Sequence, residues 1–102
     1  IQDLIKSKNY IENIEVKEVS GLEVQLKDNP NDFDIRYEVA RGQIVNKDYS
    51  KAIENLLFII GKNKEWNQNK AKKELLDIFS LLGDSNPLTL EGRAKLSNLI
   101  FK

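Results

Sequence analysis

The stretch FDIRYEVARGQIVNKDYSKAIENLLFIIGKNK, Phe33–Lys64, decides the fold. Apolar residues recur in it at helical spacing on both sides of a polar break. Phe33, Tyr37, Ala40 and Ile44 line one face of a first helix. Tyr49, Ala52, Ile53, Leu56, Leu57 and Ile60 form a second stripe that ends near Gly61. Asn46-Lys47-Asp48 is a short polar turn, so the two helices lie antiparallel as neighbours. Each runs for about 14 residues, or about 21 Å at the helical rise. Ala40 and Ala52 are the small residues that let them cross closely, and the two are expected to meet. Upstream, Pro30-Asn31 closes the preceding element, and Asn31 followed by Asp34 resembles a helix N-cap.

The same period continues towards the C-terminus. Ala71, Leu75, Ile78, Phe79 and Leu82 form the clearest stripe, with Asn67 as its cap and Gly83 where a terminating glycine belongs. Asn86-Pro87 opens the last helix as a cap followed by proline at the first helical position. Its stripe is Leu88, Gly92, Leu96, Leu99 and Ile100. A mid-helix glycine costs about 1 kcal/mol against alanine, so Gly92 predicts close packing against a neighbour. Residues 1–28 allow two readings. Leu4, Ile5, Ile11 and Ile14 fit a helix, and Ser20-Gly21-Leu22-Glu23 fits a capping box for a second one. Ile14, Val16, Leu22, Val24 and Leu26 also alternate, which fits a β-hairpin turning at Ser20-Gly21. The expected architecture is all-α, a single domain over 1–102, with helices near 2–17, 21–28, 32–46, 49–61, 67–82 and 87–101 packed as antiparallel hairpins.

Composition narrows the chemistry. The chain has 102 residues, 40% hydrophobic and 31% charged, which is one globular domain. Sixteen basic and 16 acidic side chains cancel, which argues against a dedicated nucleic-acid binder. There is no Cys and no His, so thiolate nucleophiles, imidazole bases and the usual metal ligands are missing. No catalytic residue, metal site or cofactor is expected. Glu74 and Asp77 are the only carboxylate pair worth weighing, and nothing in their pattern singles them out for acid–base work. The longest apolar run, Leu56–Ile60, falls far short of the ~20 residues of a membrane helix. No secretory signal opens the chain. Ile at position 1, with no Met anywhere, predicts a piece of a longer protein.

Helix pairs of about 34 residues are the mark of tetratricopeptide arrays. Val39-Ala40 supplies the large and small pair at the helix crossing, and Asp48-Tyr49-Ser50-Lys51-Ala52-Ile53 matches the start of a second repeat helix. Arg36 stands where the consensus often has Trp, and Lys47 replaces the turn Gly. A longer likeness covers Asn29–Lys102. Its carriers are Asn29-Pro30-Asn31-Asp32, Arg36-Tyr37, Asp48-Tyr49 with Ala52, Glu65-Trp66-Asn67, Lys73-Glu74-Leu75-Leu76, Asn86-Pro87-Leu88-Thr89, Gly92-Arg93 and Leu96–Phe101. This run resembles the C-terminal tetratricopeptide region of the YbbN-type thioredoxin-like co-chaperones, the chaperedoxins. The resemblance implies a bacterial, cytoplasmic protein-interaction module that binds the Hsp60 chaperonin, the Hsp70 system or unfolded clients. The family's thioredoxin-like domain is not in this sequence, and without Cys the chain has no thiol chemistry. The alternative is a structural helical spacer or a generic tetratricopeptide adaptor.

Two surfaces are candidates for protein binding. Repeat proteins bind along the surface lined by each hairpin's first helix, which selects Asp34, Tyr37, Arg41, Ile44 and Val45. Tyr and Arg are favoured interface anchors; the plainer reading makes Tyr37 core and Arg41 ordinary surface. Some relatives clamp a terminal carboxylate with Lys and Asn at two of these positions, where this chain has Tyr37 and Arg41, so that mode is not expected. The second candidate is the last helix, through Leu96, Leu99, Ile100 and Phe101, which either docks a partner or caps the core. Trp66 either staples the second hairpin onto Leu56, Leu57 and Ile60 or faces a ligand. Lys70, Lys72 and Lys73, with Glu65, Glu74 and Asp77 around them, fit a solvated face.

Overall fold

The computed structural model describes residues 19–101. They form five helices: α1 (Val19–Asp28), α2 (Phe33–Val45), α3 (Tyr49–Lys62), α4 (Trp66–Leu82) and α5 (Pro87–Ile100). No strand occurs among the described residues. The predicted helix over 2–17 lies outside them. Val19 and Ser20 are already helical, so Ser20–Glu23 is not a capping box and Gly21 is not a hairpin turn. Neighbours in sequence pack as neighbours in space, α1 on α2, α2 on α3, α3 on α4 and α4 on α5.

Helix α3 is the centre of this arrangement. It packs against α2, α4 and α5 and buries Ala52, Ile53, Leu56, Leu57, Ile59 and Ile60. The opposing stripes are those expected: Tyr37, Ala40 and Ile44 from α2, and Ala71, Leu75, Ile78 and Phe79 from α4. Ala40 and Ala52 are both fully enclosed in this core. Each fully buried large aliphatic or Phe side chain is worth about 1.5–3 kcal/mol, so the α2–α3–α4 interfaces hold most of the fold's favourable energy.

The helix ends show which local signals operate. Asn86 Oδ1 accepts from Leu88 N–H at 2.9 Å and Pro87 follows, as expected. Gly83 ends α4 at φ 93, a backbone conformation that favours glycine. The α2 cap is Asp32, not Asn31: its extended backbone brings Oδ1 3.1 Å from Ile35 N–H. Asn67 does not cap α4. Asn67, Gln68 and Asn69 all adopt left-handed backbone, φ 48, 57 and 65, so regular helix begins only at Lys70. Such a conformation costs L-residues roughly 1–2 kcal/mol each, least for Asn. Lys47 takes φ 65 in the α2–α3 turn, the position where the repeat consensus has Gly.

Gly92 sits where α5 crosses α4. A Cβ there would lie 2.7 and 2.8 Å from Phe79 Cε1 and Cζ and 3.5 Å from Ile53 Cγ2. Phe79 is only 1% exposed, so its ring has nowhere to retreat. Gly92→Ala is therefore expected to lower stability by about 1–2 kcal/mol, overpacking outweighing the helix-propensity gain. Lys47→Gly, at an exposed turn, is expected to raise stability by up to about 1 kcal/mol. Urea unfolding of the two variants beside wild type checks both signs.

Candidate protein-binding site

The first helices of the two hairpins, α2 and α4, face each other through a short row of side chains. Phe33, Tyr37 and Arg41 are four residues apart and share one face of α2. Opposite them stand Trp66, Lys70 and Glu74. Trp66 meets Phe33 edge-on, with centroids 6.2 Å apart and planes at 75°, and lies tilted on Tyr37 at 5.6 Å. Its ring partners thus belong to α2. Trp66 also packs against the core cluster that contains Leu56, Leu57 and Ile60, so the staple it makes joins the two first helices as well. The left-handed residues that follow Trp66 separate it from the regular helix.

Further along the row the contacts become polar. The Lys70 ammonium sits 4.4 Å from the Tyr37 ring centroid, a cation–π distance. Arg41 Nε lies 3.5 Å from Glu74 Oε1, an ion pair too long for a hydrogen bond. Glu74 is itself buried. Burial first, then the Glu74 carboxylate, pushes the Tyr37 phenol above its ordinary range. Arg41 opposes the shift, while Glu38 adds to it. Arg41 is thus paired with Glu74 while part of its side chain stays accessible.

Of the predicted binding residues on this face, Asp34 is exposed, and Arg41 and Val45 are partly buried. Tyr37 is 4% exposed and Ile44 is fully buried, so both are core. At the C-terminal helix Leu96 is buried, and Leu99 and Ile100 pack against the core. Leu99 also covers Gly61 at the end of α3, where an added Cβ would lie 3.4 Å from its Cδ2. Phe101 alone of that quartet is open, at 83% exposure. The last helix therefore caps the core through Leu96, Leu99 and Ile100. Sequence reading did not find the roles of Glu74 and Lys70, because their partners lie on another helix. No group of three or more acidic side chains fit to hold a metal ion occurs among the described residues. No described helix is long and apolar enough to cross a membrane.

A family model of the tetratricopeptide repeat matches residues 13–101. The chain belongs to the tetratricopeptide repeat family. Domains of this family are in general non-enzymatic and bind protein partners, and the α2–α4 face is where such a solenoid offers its first helices. This tetratricopeptide chain is similar to uncharacterized proteins of Mycobacterium tuberculosis and Mycobacterium bovis. Identity is 25% over 71 residues, 70% of this chain and 23% of each relative. The chain thus spans about a quarter of the length of the curated relatives it matches. No solved structure gives a significant match.

The Tyr37–Glu74 contact has a measurable consequence. A phenol whose folded pKa is raised adds stability below its unfolded value of about 10. That stability is lost as pH rises above this value, because the unfolded chain ionises first. Between pH 8 and 11 the urea midpoint of wild type is expected to fall further than that of Tyr37→Phe. Parallel decline of the two would show that burial beside Glu74 does not raise the Tyr37 phenol.

Proposed function

We propose that this chain is the protein-binding portion of a thioredoxin-like co-chaperone, working in the bacterial cytoplasm. Its partners in this reading are the Hsp60 chaperonin, the Hsp70 system or unfolded client proteins. The observation that carries the binding role is the α2–α4 row, where an aromatic cluster passes into charged groups of both signs along paired first helices. The partner surface is the accessible rim of that row, Asp34, Arg41 and Lys70, with Phe101 as a second contact. The chaperone assignment rests on the resemblance over Asn29–Lys102. The greater length of the mycobacterial relatives is compatible with such a module being one part of a larger protein. Zero formal charge makes long-range steering weak, so affinity in this reading depends little on salt.

The test is titration of the chain with purified Hsp60 chaperonin, with Hsp70 and with a permanently unfolded client, read by calorimetry. At least one is expected to bind with micromolar Kd. Phe101→Asp, at an exposed position, is expected to weaken that binding about tenfold, or about 1.4 kcal/mol. Asp34→Lys and Lys70→Ala are expected to weaken it at least threefold each, with helicity unchanged by circular dichroism. No binding to any of the three rejects the co-chaperone reading and leaves a tetratricopeptide adaptor of another kind. Binding unaffected by all the variants rejects the assigned surface.

A further inference from the structure

Helix α2 has a second working face. At 100° per residue, Arg36, Val39 and Gln43 lie on the side opposite Asp34, Tyr37 and Arg41. There α1 and the turn after it, with α2 and α3, bound an open groove of about 370 Å³. That volume falls within the range of ligand-binding clefts, about 300–1,000 Å³. Leu26 and Pro30 contribute apolar surface to the groove, Val39 lines it while almost fully enclosed, and Glu23 and Lys27 line it from α1. The span from Arg36 to Gln43 is about 10 Å along the helix, or about three residues of extended chain.

The remaining wall is a relay of side chains that ends in donors. Arg36 Nη1 donates to Asn55 Oδ1 at 2.9 Å, and Asn55 Nδ2 donates to Gln43 Oε1 at 2.8 Å. Arg36 Nη2 donates to the Pro30 carbonyl at 2.8 Å. Each amide oxygen thus accepts one hydrogen bond, and among the described residues two of the five guanidinium N–H groups are engaged. Arg36 Nε is enclosed without a hydrogen-bond partner. The guanidinium lies 3.7 Å from the Phe58 ring centroid, and Lys62 stands 5.6 Å from the same ring. No carboxylate among the described residues pairs with Arg36. Arg36 and Lys27 give the groove lining a positive excess over Glu23. A cationic, donor-rich wall beside an apolar floor is complementary to a carboxylate next to an apolar side chain.

We propose that this groove binds an extended peptide segment of a partner protein. An apolar side chain rests on Leu26 and Pro30, and the adjoining Asp or Glu carboxylate pairs with the Arg36 guanidinium and the Gln43 amide. This site is separate from the α2–α4 face, so the two readings stand or fall independently. Arg36 is a departure from the repeat consensus, in which Trp often occupies this position. In this reading the substitution replaces a packing residue with a recognition residue.

The test is an NMR titration of the full chain with the blocked peptide acetyl-Gly-Ser-Leu-Glu-Ser-Gly-amide and with its Gln counterpart. The acidic peptide is expected to shift the side-chain amides of Gln43 and Asn55 and the methyl groups of Leu26 and Val39, saturably. The Gln peptide is expected to bind at least fivefold more weakly. Glu23→Gln is expected to tighten the acidic peptide, and Lys27→Glu to weaken it, each at least twofold; both positions are exposed and leave the core untouched. Arg36→Gln is expected to abolish the shifts; if that variant unfolds, the other two decide. Equal binding of the two peptides, shifts confined to Tyr37 and Arg41, no shift at millimolar peptide, or indifference to Glu23→Gln and Lys27→Glu would each overturn the proposal.

Discussion

Helix α3 is enclosed by α2, α4 and α5, and its apolar arc is correspondingly broad. A surface helix needs only one stripe, but α3 buries Ile59 as well as the Ile53, Leu56 and Ile60 set. Each neighbouring helix covers a stripe of its own by leaning on this one. The dependence is tightest at Gly92, where the absence of a side chain lets α5 approach the Phe79 ring. Without that approach Leu96, Leu99 and Ile100 would lose the surface they cap.

Because α3 fills the interior, α2 and α4 come together at their edges through Phe33, Tyr37 and Trp66. The cluster is finished by polar contacts: Glu74 is buried between Arg41 and Tyr37, and Lys70 covers the Tyr37 ring. A buried carboxylate is costly unless paired, and here Glu74 is paired with Arg41. The face therefore has a rigid aromatic and ionic base with a charged, accessible rim. That combination suits a module that binds proteins, in keeping with its tetratricopeptide family. The opposite side of α2 is organised differently, by a relay of neutral amides around a guanidinium that has no carboxylate partner among the described residues.

The order and type of the helices beyond residue 28 were legible in the sequence because each carries its own signals. Asn86-Pro87 and Gly83 act on the backbone beside them, and the apolar stripes from Phe33 to Ile100 repeat at the helical period. The misplaced caps, Asn31 for Asp32 and Asn67 for a left-handed turn, lie where several Asn and Asp residues follow one another. Composition cannot choose among neighbours that all accept hydrogen bonds; backbone dihedral angles do.

The candidate site was less legible. Tyr37, Ile44 and Leu96 sit on apolar faces that a linear reading assigns equally to a core or to a binding surface. Only the position of α3, and of α5 over it, sends them inside. The Arg36–Asn55–Gln43 relay joins residues 19 and 12 positions apart, and Trp66 finds its aromatic partners on α2. Thus the sequence alone determined helical hairpins, most of their stripes and the caps that act within a turn, since these depend on nearest neighbours along the chain. Tertiary structure decided which side chains remain accessible and which charges are paired. Both follow from the distance between helices, and no local period encodes that distance.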